Sequence, residues 1–142
     1  MPVKSILIAV NDTPVTEELV RVSCKIAKLE KAKVYIVYVF EVPRALPLDA
    51  EISEEFEKGD LVLEKAAAVA EEFGLEPETD IIQARAAGTG IVDEARDLGA
   101  DLIAVGMNTK PKLGDYIFGS TVNYVLDRAP CQVIVVRNAI KN

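Results

Sequence analysis

Short, almost wholly apolar runs alternate with longer segments of helical period along this chain, and few architectures tolerate that pattern. Residues 5–10 (SILIAV), 33–39 (KVYIVYV), 79–84 (TDIIQA), 101–105 (DLIAV) and 131–136 (CQVIVV) read as strands. Runs this apolar suit strands covered on both faces, as in a parallel sheet, and 79–84 is the weakest of the five. Thr13 and Pro14 are expected to cap and open a first helix, with Val15, Leu19, Val22, Ile26 and Leu29 turned inward. A loop marked by Pro43 and Pro47 runs to about Ile52. Ser53 is then expected to cap a long second helix, with Val62, Ala66, Val69 and Phe73 inward, Gly59 disturbing its first turns and Gly74 at its C′ position.

Gly88 and Gly90 read as turn and capping residues ahead of a third helix, which buries Ile91, Val92, Ala95 and Leu98 and stops at Gly99. Phe118, Val122, Val125 and Leu126 mark a fourth. Five strands alternating with four helices imply one α/β domain over residues 1–142, a three-layer, doubly wound parallel sheet of order 3-2-1-4-5 with helices on both faces. In such sheets ligands sit beyond the carboxyl ends of the strands where the winding reverses, here between the first and fourth strands. The loops after Val10 and Val105 are expected to converge there.

Composition narrows the chemistry. The chain has no histidine, which removes His-based triads and the commonest metal ligand. Its net charge of −7 opposes nucleic-acid binding by clustered cations. Cys24 and Cys131 form no CxxC pair, so they read as small buried hydrophobes rather than metal ligands. No apolar run reaches the roughly 18 residues of a membrane-spanning helix, and the opening residues lack a signal-peptide pattern, so a cytoplasmic protein is expected. Asp12 and Asp115 have no visible partner that would tune a general base, which leaves ligand binding, with at most slow ATP hydrolysis, as the expected activity.

The richest stretch is 106–121, GMNTKPKLGDYIFGST, leading from the fourth strand into the last helix. Glycines permit close backbone approach, a helix N-terminus offers free N–H groups to a phosphate, and Ser120 adds a hydroxyl. By spacing alone these glycines serve equally well as turn residues. Gly106, Thr109, Gly119 and Ser120 fall on a pattern of Gly, two residues, Gly, nine residues, Gly, then Ser or Thr. With the opening ILIAVNDTP and the closing VNYVLDRAPCQVIVV, the chain resembles the universal stress protein family over nearly its whole length.

That resemblance implies an adenine nucleotide, ATP or AMP, with or without Mg2+ and with no metal ligand from protein side chains. The implied contacts are Asn11, Asp12, Val39, Val105, Gly106, Thr109, Gly119, Ser120 and Thr121, with Lys110 and Lys112 as further phosphate contacts. Two positions depart from the family pattern. Thr109 replaces its second glycine, and a β-branched residue disfavours positive φ. Asn11 replaces its acidic residue after the first strand, with Asp12 as the nearby substitute. The resemblance also implies a regulatory or stress-response homodimer through residues 131–136. The competing reading is a nucleotide-free interaction module that docks onto a membrane transporter.

Overall fold

The computed structural model describes residues 2–108 and 119–139. The elements follow in the order β1 (Ser5–Val10), α1 (Thr16–Glu30), β2 (Lys33–Glu41), α2 (Ser53–Glu72), β3 (Glu78–Ala84), α3 (Ala87–Leu98), β4 (Leu102–Gly106), α4 (Ser120–Arg128) and β5 (Gln132–Val136). All four pairings are parallel, and the strand order is β3-β2-β1-β4-β5, as the sequence pattern implies. The strands are apolar on both sides because both sides are covered. One core holds Ile6, Ile8, Ile36 and Ala104 against α1 and α2, and the other holds Leu7, Val37, Ile103 and Val105 against α3 and α4.

The winding reverses beside β1. The chain steps outward through β2 and β3, then returns to place β4 against the free side of β1, with Ala9 level with Val105. Far from that reversal, the Asp101 carboxylate accepts hydrogen bonds from the Lys4 and Ser5 backbone N–H groups at 2.9 and 3.2 Å, pinning the amino ends of β1 and β4 together.

Several local expectations need correction. Pro14 and Val15 form a turn and α1 begins at Thr16, because the Thr16 N–H bonds to the Thr13 carbonyl at 3.2 Å before regular helix starts. The inner stripe of α1 is Leu19, Val20, Ser23, Cys24 and Ala27, while Leu29 is 83% exposed. Ser23 is tolerated in that core because its hydroxyl donates to the Leu19 carbonyl at 2.7 Å. Ser53 is the first residue of α2 rather than its cap. Gly59 does not interrupt that helix; it is buried against Tyr38, where a Cβ would come within 2.7 Å of the ring.

Gly88 and Gly90 lie inside α3 instead of in a turn. A Cβ on Gly88 would approach the Tyr124 Cβ to 2.8 Å, and one on Gly90 would lie 2.9 Å from both the Ala84 Cβ and the Val39 Cγ1. They let α3 pack close to α4 and to the sheet. Leu126 is 46% exposed, so Val122 and Val125 carry the inner face of α4, while Phe118 lies outside the described residues. Gly74 and Gly99 do end α2 and α3 with positive φ, at 75° and 65°. Cys24 is buried and Cys131 only half-buried.

Candidate nucleotide site

Beyond the carboxyl ends of β1 and β4 lies a cavity of about 110 Å³, as lined by the described residues. Its floor and sides come from Asn11, Val39, Val105 and Gly106 at strand ends, and from Thr121 in the first turn of α4. These five were all expected from the sequence. Ala87 and Ile91 of α3 and Ala9 of β1 also line it, and they were not. Strand parity could have found them: Val37 and Val39 face the α3 side of the sheet, so the helix after β3 had to form one wall.

Asn11 is held by its neighbours. Its side-chain oxygen accepts a hydrogen bond from the Thr13 hydroxyl, and its main-chain carbonyl accepts one from the Thr16 hydroxyl at 2.6 Å. With the carbonyl end occupied, the amide N–H2 is the part left for a ligand, a donor where a carboxylate would accept. Asp12 does not line this cavity. It faces a larger groove of about 650 Å³ between α1 and α2, on the opposite side of the sheet, with Thr16, Arg21, Lys58 and Lys65. The start of α1 also borders the larger groove, but its first turn carries Glu17 and Glu18, whereas the smaller cavity joins the winding reversal to the start of α4, whose first turn has no acidic residue. Arg21 in the larger groove is already paired with Glu72 at 3.1 Å.

Gly106 has a second reason to be glycine. It shares strand parity with Leu102 and Ala104, so a Cβ there would point toward α1 and meet the Val15 Cγ1 at 2.7 Å. The cavity meets its backbone instead. Gly119, at φ −66° and ψ 164°, precedes α4 as its N-cap, and a Cβ there would touch none of the described residues within 4 Å. Neither conformation nor crowding among the described residues demands glycine at 119. Gly119 and Ser120 are exposed beside Thr121 at the start of α4, where no cap side chain bonds the helix and the first turn holds no acidic residue. Thr109, Lys110 and Lys112 lie outside the described residues, as does Asp115.

Burial, reinforced by the Glu55 carboxylate to which its hydroxyl donates at 3.2 Å, pushes the Tyr38 phenol up to about 12. Burial likewise raises the Cys24 thiol to about 11, which keeps it protonated and inert. Among the described residues no titratable group lines the smaller cavity, and what they offer a ligand there is backbone, amide and hydroxyl groups.

A doubly wound sheet with a cavity at its winding reversal places the chain among α/β domains of the open, doubly wound type, in which the strand ends at the reversal form a crevice. A model of the Universal stress protein family matches residues 2–137, and the chain belongs to that family. Universal stress protein MJ0531 of Methanocaldococcus jannaschii is 33% identical over 144 residues, spanning 97% of this chain and 84% of that protein. The solved structure of the universal stress protein from Archaeoglobus fulgidus in complex with dAMP aligns with a TM-score of 0.76 at 23% identity, over 95% of this chain and 98% of that one. A universal stress protein solved in complex with cAMP aligns with the same TM-score at 18% identity, over 96% and 98%. Among the described residues no helix is long and apolar enough to cross a membrane.

Proposed function

We propose that this protein binds an adenine nucleotide, ATP or AMP, in the cavity between β1 and β4, and that it acts as a regulatory homodimer in the stress response. The observation that carries the reading is the N-terminus of α4. It opens beside the cavity at the winding reversal, with Thr121 in the lining and no acidic residue in its first turn. Its N–H groups and partial positive charge suit a phosphate, even in a chain of net charge −7. Relatives with the same fold were solved with dAMP and with cAMP, which supports an adenine nucleotide as the ligand class.

In this reading the base lies against Val39 and Val105, Asn11 stands near the ribose, and Gly106, Gly119, Ser120 and Thr121 receive the phosphates. Thr109, Lys110 and Lys112 are the further phosphate contacts, and any Mg2+ enters with the nucleotide. The dimer forms through residues 131–136: among the described residues β5 is an edge strand, hydrogen-bonded in the sheet only to β4, with Val133 to Val136 half-buried on its two faces. A bound nucleotide raises the melting temperature by mass action, by an amount set by its concentration relative to Kd. Saturating AMP and Mg-ATP are expected to raise it. Unchanged melting with both, and no nucleotide in the purified protein, would replace this reading with the interaction module.

A further inference from the structure

The four helices among the described residues begin at the carboxyl edge of the sheet, and each N-terminus carries partial positive charge. The chain supplies carboxylates to the first two itself: Glu17 and Glu18 lie in the first turn of α1, and Glu54 and Glu55 in that of α2. Neither α3 nor α4 has an acidic residue in its first turn. For α3 the carboxylate comes from another element. Glu41, the last residue of β2, accepts a hydrogen bond from the Ala87 backbone N–H at 2.9 Å.

That contact sits on the rim of the nucleotide cavity. Ala87 is one of its lining residues, and so is Val39, which shares a strand face with Glu41 two residues on. Two helix N-termini therefore flank the cavity, one already filled by a carboxylate of the protein. Among the described residues no Lys or Arg pairs with Glu41. Arg85, nearby in sequence to Ala87, donates instead to the carbonyls of Pro43 and Leu46 at 2.7 and 2.9 Å.

We propose that Glu41 is a positioning residue that orients the nucleotide, by occupying the N-terminus of α3 and leaving the N-terminus of α4 to the phosphates. The inference rests on the nucleotide-binding reading and adds a determinant to it. Adenine and ribose are neutral and lie toward α3 without penalty, whereas a phosphate there meets a carboxylate already holding the amide it would need. Replacing that carboxylate with a neutral acceptor removes the repulsion while keeping the Ala87 bond. Removing the side chain altogether leaves the α3 amides open to an anion.

The test uses Glu41→Gln and Glu41→Ala in the full chain, with two readouts. Calorimetry with adenosine and with AMP is expected to show that Glu41→Gln leaves adenosine within twofold and tightens AMP by about threefold or more, the scale of one charge at a helix end. Equal changes for both ligands mean a merely structural role and overturn the proposal. The second readout is the amide chemical shift of Ala87 and Gly88 during titration with inorganic phosphate. Those shifts are expected to move in Glu41→Ala and stay still in the wild type. Movement in the wild type, or none in Glu41→Ala, overturns the proposal whether or not nucleotide binds. Failure of the wild type to bind adenosine and AMP defeats the nucleotide reading by itself.

Discussion

Replacing Gly106 with alanine separates the two reasons for glycine at that position. The new Cβ would sit 2.7 Å from the Val15 Cγ1, and 3.5 Å from the Leu19 Cδ2, which is ordinary contact. Val15 is 1% exposed and β-branched, so it has little freedom to turn away. Overpacking of this kind costs about 2 kcal/mol. With an unfolding entropy of about 2.1 cal/mol/K per residue, that lowers Tm by about 7 °C. Val15→Ala alone removes two buried methyl groups and opens a small cavity, costing about 2.5 kcal/mol.

If the two effects were independent, the double variant would lose about 4.5 kcal/mol. Trimming Val15 removes the atom that clashes, leaving its Cβ 3.8 Å from the new methyl, so the double variant is expected to lose only about 2.5 kcal/mol. Urea unfolding of the wild type and three variants measures this coupling of about 2 kcal/mol. Additivity within about 0.5 kcal/mol would refute the packing account of Gly106. Nucleotide binding by the double variant is expected to survive, because the added methyl points to α1 while the backbone faces the cavity.

Lys31, at φ 57°, is a non-glycine residue in the left-handed region at the end of α1, so Lys31→Gly is expected to stabilise the fold by about 0.5 to 1 kcal/mol in urea unfolding. The Tyr38 phenol has a folded pKa raised to about 12, above the usual value near 10. Its contribution to stability is therefore complete below pH 10 and is lost as pH rises through 12. Thermal unfolding across that window should fall less steeply in Tyr38→Phe than in the wild type. Light scattering at tens of micromolar should report a dimer, and a charge placed on the edge strand, Val135→Lys, should reduce it to a monomer.

The strand order was legible because each strand is a short apolar run and each crossover a helical stripe, both properties of local sequence. Helix starts were less so. Thr13, Pro14 and Ser53 all carry start signals, yet turn hydrogen bonds at Thr13 and the extended Ile52 put the caps at Val15 and Ile52, two residues later and one residue earlier. Gly59, Gly88 and Gly90 were misread as breaks because their reason is crowding by Tyr38, Tyr124, Ala84 and Val39, contacts that no local pattern reveals. Asn11, Val39, Val105, Gly106 and Thr121, which the family resemblance implied, do line the cavity, because strand ends and the first turn of α4 meet at the winding reversal. Asp12 was assigned by adjacency to Asn11, but the turn after β1 aims it across to the α1–α2 groove. Glu41 was missed because its partner, Ala87, is 46 residues away.

The most direct test of the nucleotide reading is a calorimetric titration of AMP into the wild type, Gly119→Glu and Lys31→Glu. Gly119 has a backbone conformation open to any residue, and none of the described residues comes within 4 Å of a Cβ there, so among them the glutamate alters charge at the start of α4 rather than packing. Lys31 lies at the far end of α1, remote from the cavity. Saturable one-site binding is expected for the wild type and for Lys31→Glu, and none for a folded Gly119→Glu. Equal binding by all three, or none by the wild type, would contradict that reading.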